Sequence, residues 1–167
     1  GAAVTLYHNN AIKLFTTATG IDVTGTAVTD GVTVDGTTSI EEVIEKVGGG
    51  TSTTGTINYN LRDGAVQNFT ANQTANRTIN LRASSSETLN AMLSVGESMT
   101  CAILLLQGST AYYLNAYQVD GSTITPKWSG GSAPTEGNAS GIDSYTFTII
   151  KTANATFTVL ASQTQFA

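Results

Sequence analysis

Residues 142–152 read Ile142-Asp143-Ser144-Tyr145-Thr146-Phe147-Thr148-Ile149-Ile150-Lys151-Thr152. Apolar and polar side chains alternate along this stretch, which is the period of a β-strand, because successive side chains of a strand point to opposite faces of the sheet. Tyr145, Phe147 and Ile149 fall on one face, and the threonines between them fall on the other. The stretch therefore predicts a strand with one buried face.

Similar strands are predicted on both sides of this stretch, throughout residues 57–167. Their ranges are 66–71, 78–83, 98–107, 111–119, 122–128 and 156–161. Gly108-Ser109 and Asp120-Gly121 have the residue types of tight hairpin turns. About seven or eight strands joined by turns predict an antiparallel β-sandwich or a jelly roll.

The strand at residues 98–106 differs from the others because it is apolar on both faces. In so small a domain, the outer face of such a strand needs a cover. Residues 86–93 could form a short covering helix, and a second subunit is the alternative cover. Cys101 lies in this apolar run with no basic neighbour to activate its thiol, so a small buried side chain is expected there.

The composition narrows the class of protein. Only 11% of the 167 residues are charged, against about 25% in typical globular proteins, and the net charge is −5. Nucleic-acid binding depends on clustered lysine and arginine, so this acidic chain is not expected to bind nucleic acid. The longest apolar run, residues 102–106, is far shorter than the roughly 20 residues of a membrane-spanning helix, so no membrane insertion is expected.

The N-terminal part of the chain is repetitive. It holds two copies of one short pattern, Gly20-Ile21-Asp22-Val23-Thr24-Gly25 and Gly31-Val32-Thr33-Val34-Asp35-Gly36. Each copy has the alternation of a short strand between glycines that permit turns. Strands this short become stable by stacking on one another or on identical chains. Residues 1–37 are therefore predicted to form a shaft of short β-strands.

Residues 38–56 are predicted to hold a short helix followed by a linker. Ser39 and Glu42 have the spacing of a capping box, and the glycines at 48–50 would end the helix. Residues 48–55 are rich in glycine and threonine, which is typical of a flexible linker. The linker would join the shaft to the β-rich head.

The predicted helix would carry one apolar stripe. Its members are Ile40, Val43, Ile44 and Val47. A helix this short is not stable alone, so the stripe has to be buried against something. We expect these four side chains to form the interface of a homotrimer, since β-branched residues along a helical seam are compatible with three strands. Packing against a sheet of the same chain is the alternative.

Few residues could carry catalysis. His8 is the only histidine, so a single chain cannot form a two-histidine zinc site or a triad with a spare base. Three copies of His8 on a trimer axis could bind a metal, but the neighbouring Asn9 and Asn10 indicate a turn. Asp120 and Asp143 could form the carboxylate pair of a glycosidase, although no motif favours it. We therefore expect no catalytic residue, no metal and no cofactor.

Residues 129–141 form the longest segment of the head without a predicted strand, and they follow the only tryptophan. Long loops at the edge of a sandwich often carry binding. An aromatic ring beside such a loop can stack on a sugar, and a buried core tryptophan is the alternative. The candidate host-contact residues are Trp128, Ser132, Thr135, Glu136 and Asn138.

Two parts of the chain resemble tail-fibre-like structural proteins of marine bacteriophages, cyanophages in particular. The N-terminal part does so through residues 6–20 and the two repeats that follow. The second half does so through Ala111-Tyr112-Tyr113, Val119-Asp120-Gly121, Lys127-Trp128-Ser129-Gly130-Gly131, Ala133-Pro134-Thr135 and residues 142–152. Together these segments cover most of the chain.

The resemblance implies a non-enzymatic virion protein, used as a tail fibre or capsid fibre and assembled in the cytoplasm of the bacterial host. Its implied partners are copies of itself, other virion proteins, and a glycan or protein of the host surface. A capsid decoration protein and a polysaccharide-binding or polysaccharide-degrading spike are the alternatives. The resemblance supplies no catalytic residues.

Overall fold

The computed structural model describes residues 3–29 and 32–167 of a mainly β chain. Two compact units are present, Gly1–Glu42 and Val43–Ala167. The prediction of a mainly β protein is confirmed.

The first unit holds a three-stranded antiparallel sheet with the order β1-β2-β3. Its strands are β1 (Thr5–His8), β2 (Ala11–Thr16) and β3 (Ile21–Val23). Asn9 and Asn10 join β1 to β2 with φ angles of 50° and 65°, which is the left-handed region that a two-residue hairpin turn requires. The predicted turn at these asparagines is confirmed.

Only the first of the two N-terminal repeats forms a strand in the described residues. That copy supplies β3, whereas residues 32–36 of the second copy have no strand structure. Gly31, which begins the second copy, lies outside the described residues. A strand needs a neighbour to accept its backbone hydrogen bonds, and the described chain offers the second copy none.

The helix predicted for residues 40–47 is wrong, because residues 38–47 form neither helix nor strand. The four stripe residues are all exposed: Ile40 62%, Val43 64%, Ile44 89% and Val47 56%. A helix of this length depends on burial of its apolar face, and the described part of the chain leaves that face uncovered.

The second unit begins with β4 (Gly48–Gly50) and continues with β5 (Ile57–Asn60), β6 (Val66–Phe69), β7 (Arg77–Arg82), β8 (Ser98–Leu106), β9 (Leu114–Val119), β10 (Ser122–Thr123), β11 (Lys127–Trp128), β12 (Ile142–Ala153) and β13 (Thr156–Phe166). A single-turn helix, α1 (Leu89–Met92), precedes β8, and short 3-10 turns lie at Leu61–Asp63 and Ser129–Gly131. The strands form a four-stranded sheet, β10-β9-β7-β5, and a six-stranded sheet, β11-β13-β12-β8-β6-β4.

From β4 to β9 the chain alternates between the two sheets. Consecutive strands of the same sheet then pair in parallel, β4 with β6, β6 with β8, β5 with β7 and β7 with β9. The chain thus winds around the core as a coil before the long antiparallel hairpin of β12 and β13 completes the larger sheet. Two facing sheets are present as predicted, but the pairing in both is mixed rather than antiparallel.

The two predicted hairpin turns have different outcomes. Asp120 and Gly121 have φ angles of 50° and 79° and join β9 to β10 as a hairpin, so this prediction is confirmed. Gly108 and Ser109 lie between β8 and β9, which belong to different sheets, so no hairpin forms there. Residue types suit a tight turn at both places, but they do not specify whether the next strand stays in the same sheet.

The core lies between the two sheets and is built from stacked positions. Ile57, Ile79 and Tyr117 occupy one row across β5, β7 and β9, and all three are buried. From the larger sheet, Phe147 lies with its ring centroid 6.3 Å from that of Tyr117. Cys101 is buried in the same core and is a free thiol, as expected. Its burial raises the pKa of the thiol to about 12.

The linker predicted at residues 48–55 is not free chain. Gly48–Gly50 pairs with β6, and a Cβ on Gly49 would lie 1.9 Å from the Asn68 carbonyl oxygen, so only glycine permits this pairing. Further along, the buried Arg77 guanidinium donates to the carbonyl oxygens of Ser52 at 2.8 Å and Gly55 at 3.0 Å. The glycines therefore permit a close strand pairing and not a flexible joint.

The helix predicted at residues 86–93 is reduced to α1. Leu89 of α1 is buried in the core between the sheets, so the helix does not cover the outer face of β8. On that face Ala102, Leu104 and Leu106 are half-buried.

Candidate binding cleft

A cavity of about 710 Å³ lies at the β9–β10 edge of the four-stranded sheet in the second unit. Its walls come from β9, from the β10–β11 connection and from the loop after β11. The lining residues include Asn115, Tyr117, Gln118, Ile124, Pro126 and Trp128. Cavities of this size are typical of small-ligand sites.

Trp128 belongs both to the core and to this cleft. Its ring packs edge-to-face on Tyr117, with 5.2 Å between centroids, and lies 6.4 Å from the ring of Phe147. The side chain is only half-buried, and it lines the cleft as well as a second, smaller cavity that also involves β12 and β13. The two alternatives for this residue, core packing and an accessible aromatic surface, are therefore both present.

Polar side chains with free hydrogen-bonding capacity also belong to the lining of the cleft. They are Thr78, Asn115, Gln118, Thr123 and Thr125. None of these five side chains hydrogen-bonds to another group in residues 3–29 and 32–167, and Asn115, Thr123 and Thr125 are exposed. Lys127 is the one charged residue among the lining residues. The cleft thus offers hydroxyls, amides and a single positive charge beside an apolar floor.

The loop at residues 129–141 consists of two different halves. The first half begins with the 3-10 turn at Ser129–Gly131, and Gly131 and Ala133 line the cleft. Ser132 stands between these two lining residues and is exposed. Thr135 is exposed but does not line the cleft.

The second half of the loop is anchored. Gln163 donates to the Glu136 carbonyl oxygen at 3.0 Å, and the Asn138 amide nitrogen Nδ2 donates to the Phe166 carbonyl oxygen at 2.9 Å. The backbone N–H of Asn138 donates to both carboxylate oxygens of Asp143, at 3.1 Å each. The structure therefore gives Asn138 an architectural role, whereas Trp128 and the Ser132 neighbourhood lie at the cleft.

Asp143 lies at the centre of this anchor and is fully buried. Burial raises the pKa of its carboxyl, although the Asn138 N–H and the Gln163 side chain oppose the shift by hydrogen bonding to the charged form. The Gln163 amide also donates to the Tyr145 hydroxyl at 3.1 Å, which accepts from the Leu114 N–H at 3.2 Å. This cluster ties the loop to both sheets.

Asp120, the other carboxylate considered for a glycosidase pair, has separate partners. Its two oxygens accept from the backbone N–H groups of Leu89 at 2.8 Å and Asn90 at 2.9 Å. These are unpaired donors of the first turn of α1, so Asp120 caps that helix. The two aspartates share no hydrogen-bond partner, and backbone donors occupy both.

His8 ends β1 in the first unit, where it is exposed and borders a cavity of about 520 Å³ with Lys13 and Val28. Over the described parts of the chain, no three or more histidine, cysteine, aspartate or glutamate side chains cluster as metal ligands do. Among the same residues, no helix is long and apolar enough to cross a membrane.

Sequence reasoning found Trp128 and the neighbouring loop but missed Asn115, Gln118, Ile124 and the remaining walls. Those residues come from β9 and its connection to β11, and they meet Trp128 only because the chain crosses between sheets there. No local signal in the sequence marks that crossing.

Comparison with protein-family models, curated proteins and solved structures gives no match to this chain.

Proposed function

We propose that the chain is a non-enzymatic structural protein of a bacteriophage virion, a homotrimeric fibre segment whose β head contacts the host surface. The proposal rests on the resemblance described above and on the distribution of exposed apolar side chains. The head, with its two facing sheets, would take the place of the sandwich or jelly-roll domain of such fibres. Other virion proteins are the remaining partners, and the virion is the place of action.

The observation that carries the proposal is the exposed apolar surface of residues 4–47. Large hydrophobic side chains are exposed at Val4, Leu6, Tyr7, Ile12, Ile21, Val23, Val28, Val32, Val34, Ile40, Val43, Ile44 and Val47. Soluble monomers rarely expose so dense a set of apolar residues, because burial releases roughly 25 cal/mol for each Å² removed from water. Association of identical chains along this segment would bury them, which supports a homotrimer.

Light scattering of the purified chain at micromolar concentration tests the assembly. A trimer is expected, and Ile44→Asp should shift the mass towards that of the monomer. Val95→Asp is the matched control, because Val95 is 63% exposed in the head and Ile44 is 89% exposed in the N-terminal segment. A monomeric parent chain, or equal loss of trimer in both variants, would contradict the proposal.

A capsid decoration protein is the first alternative, and imaging of intact virions with a label on this protein decides between them. A label at the tail supports the fibre, and a label spread over the capsid supports decoration.

The cleft beside Trp128 favours a second alternative, a polysaccharide-binding spike, because it joins aromatic rings to free amides and hydroxyls. Release of reducing ends from host polysaccharide would make that spike an enzyme and would overturn the non-enzymatic assignment.

A further inference from the structure

We propose that the cleft beside Trp128 binds an acidic saccharide, a short run of sugar rings that carries carboxylate groups. This inference rests on the proposed function, because a glycan of the host surface is what an attachment head would meet. It goes further in naming the ligand class and the residues that would select it.

The apolar part of the cleft suits the C–H faces of sugar rings. Trp128 is the half-buried ring of the cleft, and the buried Tyr117 ring packs edge-to-face behind it with 5.2 Å between centroids. Ile124 extends the apolar lining. Since Trp128 is packed on Phe147 as well, its ring needs no reordering when a ligand arrives. A rigid aromatic surface of this kind contributes contact area at small entropic cost.

The polar part of the cleft suits the hydroxyls of a sugar. Asn115 and Gln118 each offer amide donors and an acceptor, and the hydroxyls of Thr78, Thr123 and Thr125 offer both kinds of group. Sugar hydroxyls also donate and accept, so each contact can be satisfied in either direction. An apolar ligand would leave these groups without the water that now solvates them, at a cost in free energy.

The charge of the cleft selects among saccharides. Lys127 is exposed and is the one cationic residue of the lining, and no lining residue is acidic. The lining therefore carries one positive charge in a chain whose net charge is −5. A carboxylate on the ligand would form a charge-assisted hydrogen bond with the Lys127 ammonium, which a neutral sugar cannot do.

The binding experiment uses the fluorescence of Trp128, because it is the only tryptophan of the chain and it lines the cleft. The full-length protein is titrated with trisaccharides of galacturonic, glucuronic and mannuronic acid, and with the methyl ester of each. The ester keeps the ring and removes the charge. At least one acid is expected to change the emission with saturation, and its ester should bind about tenfold more weakly.

Two variants locate the selectivity. Lys127→Gln should lower the affinity for the acid to that of its ester and leave the affinity for the ester unchanged. Gln118→Ala should weaken acid and ester equally. Lys46→Gln is the matched control, because it makes the same charge change beside a different cavity of the same unit and should have no effect.

The outcomes separate the two proposals. If none of the six probes gives a saturable change in emission up to about 10 mM, the cleft is not a saccharide site. A dissociation constant of about 10 mM corresponds to a binding free energy of only about −3 kcal/mol, so any stronger binding would have been detected. Equal binding of acid and ester would overturn the acidic class. Neither result would touch the trimer or the place in the virion, which light scattering and virion imaging test. A saturating, Lys127-dependent response would support the inference even if the label were found on the capsid.

Discussion

Two charged residues lie on the core face of β12, one near each end. Asp143 and Lys151 belong to the same alternating set as Tyr145, Phe147 and Ile149, and both are buried. The Asp143 carboxylate accepts a hydrogen bond from the backbone N–H of Asn138 in the loop. The Lys151 ammonium donates to the backbone carbonyl oxygens at the end of α1. A charge on a core face is retained only where it is hydrogen-bonded, so each of these residues marks a tertiary anchor.

The alternation in residues 142–152 could have predicted these anchors, because it places Asp143 and Lys151 on the apolar face. The partners could not have been predicted in the same way. The Lys151 Nζ lies 2.6 Å from the Asn90 carbonyl oxygen and 2.8 Å from that of Leu93, and both residues are far away in sequence. Periodicity identifies a buried charge, but only the tertiary fold identifies its partner.

The pH dependence of stability tests the anchor at Asp143. Burial raises the pKa of the Asp143 carboxyl in the folded state above its pKa in the unfolded chain, which is about 3.9. The stability that this carboxyl contributes is therefore fully present at pH values below the unfolded-state pKa, and it is lost as the pH rises through the folded-state pKa. Asp143→Asn removes this titration and keeps an oxygen to accept from Asn138. The variant should therefore lose less stability than the parent chain between about pH 4 and pH 7.

Urea unfolding at a series of pH values measures this difference. Asp22→Asn, which removes one negative charge from an exposed position of β3, controls for the change in net charge. If the parent chain and Asp143→Asn lose stability in parallel across the pH range, the buried carboxyl is not the group responsible.

At the scale of elements, the strands were the most predictable part of the chain. Alternation located β12 because one of its faces lies towards the core, and burial along it follows the same period. β8 was located by its continuous apolar run. The stripe at residues 40–47 has an equally clear helical period, yet no helix forms. The difference is that the strands have facing partners, whereas the stripe packs on none of the residues 3–29 and 32–167 that the structure describes.

The segment between β4 and β5 illustrates how composition can mislead. It is rich in glycine and threonine, but the Arg77 guanidinium holds it with three hydrogen bonds, to the Ser52 carbonyl and hydroxyl and to the Gly55 carbonyl. A fourth hydrogen bond, to the Gln73 side chain, fixes the guanidinium itself. The same guanidinium lies 5.5 Å from the centre of the Phe69 ring. A planar group with several donors at fixed angles can satisfy all these acceptors together, which an ammonium cannot.

Arg77→Lys should therefore release the segment between β4 and β5. The expected loss of stability is about 1–3 kcal/mol, because the Ser52 and Gly55 carbonyl oxygens lose a charged donor. Amide hydrogen exchange of Thr74, whose N–H donates to the Thr53 carbonyl oxygen at 3.1 Å, should accelerate strongly. The control is Arg82→Lys on the same strand, where Arg82 Nε donates to the Asn60 side chain at 2.7 Å on the outer face. Equal protection in both variants would contradict the clamp.

At the scale of the whole molecule, the direction of strand pairing was the part that sequence could not predict. Alternation specifies which side chains face the core, and it is the same for parallel and antiparallel neighbours. The winding of β4 to β9 follows from connections that cross between sheets, such as the one at Gly108 and Ser109. The cleft is a consequence of that winding, so its walls were as unpredictable as the topology.

The two units also differ in what stabilises each of them. All residues of the buried core, from Ile57 to Ala161, belong to the second unit. The first unit has short strands and exposed apolar side chains, which need partners for stability. Residues 48–167 should therefore fold alone, and assembly should depend on the exposed apolar side chains of residues 4–47.

A chain shortened to residues 48–167 tests this division, because it keeps β4 and the whole core but lacks the exposed apolar segment. We expect it to be monomeric by light scattering, to unfold cooperatively and to keep the fluorescence of Trp128 in the folded full-length chain. The full-length chain is the control for assembly. A shortened chain that remained trimeric would place the interface in the head instead. The outer face of the six-stranded sheet would then be the candidate, because Leu104, Leu106 and Ile142 lie there among serine and threonine side chains with no charged neighbour on β8 or β12.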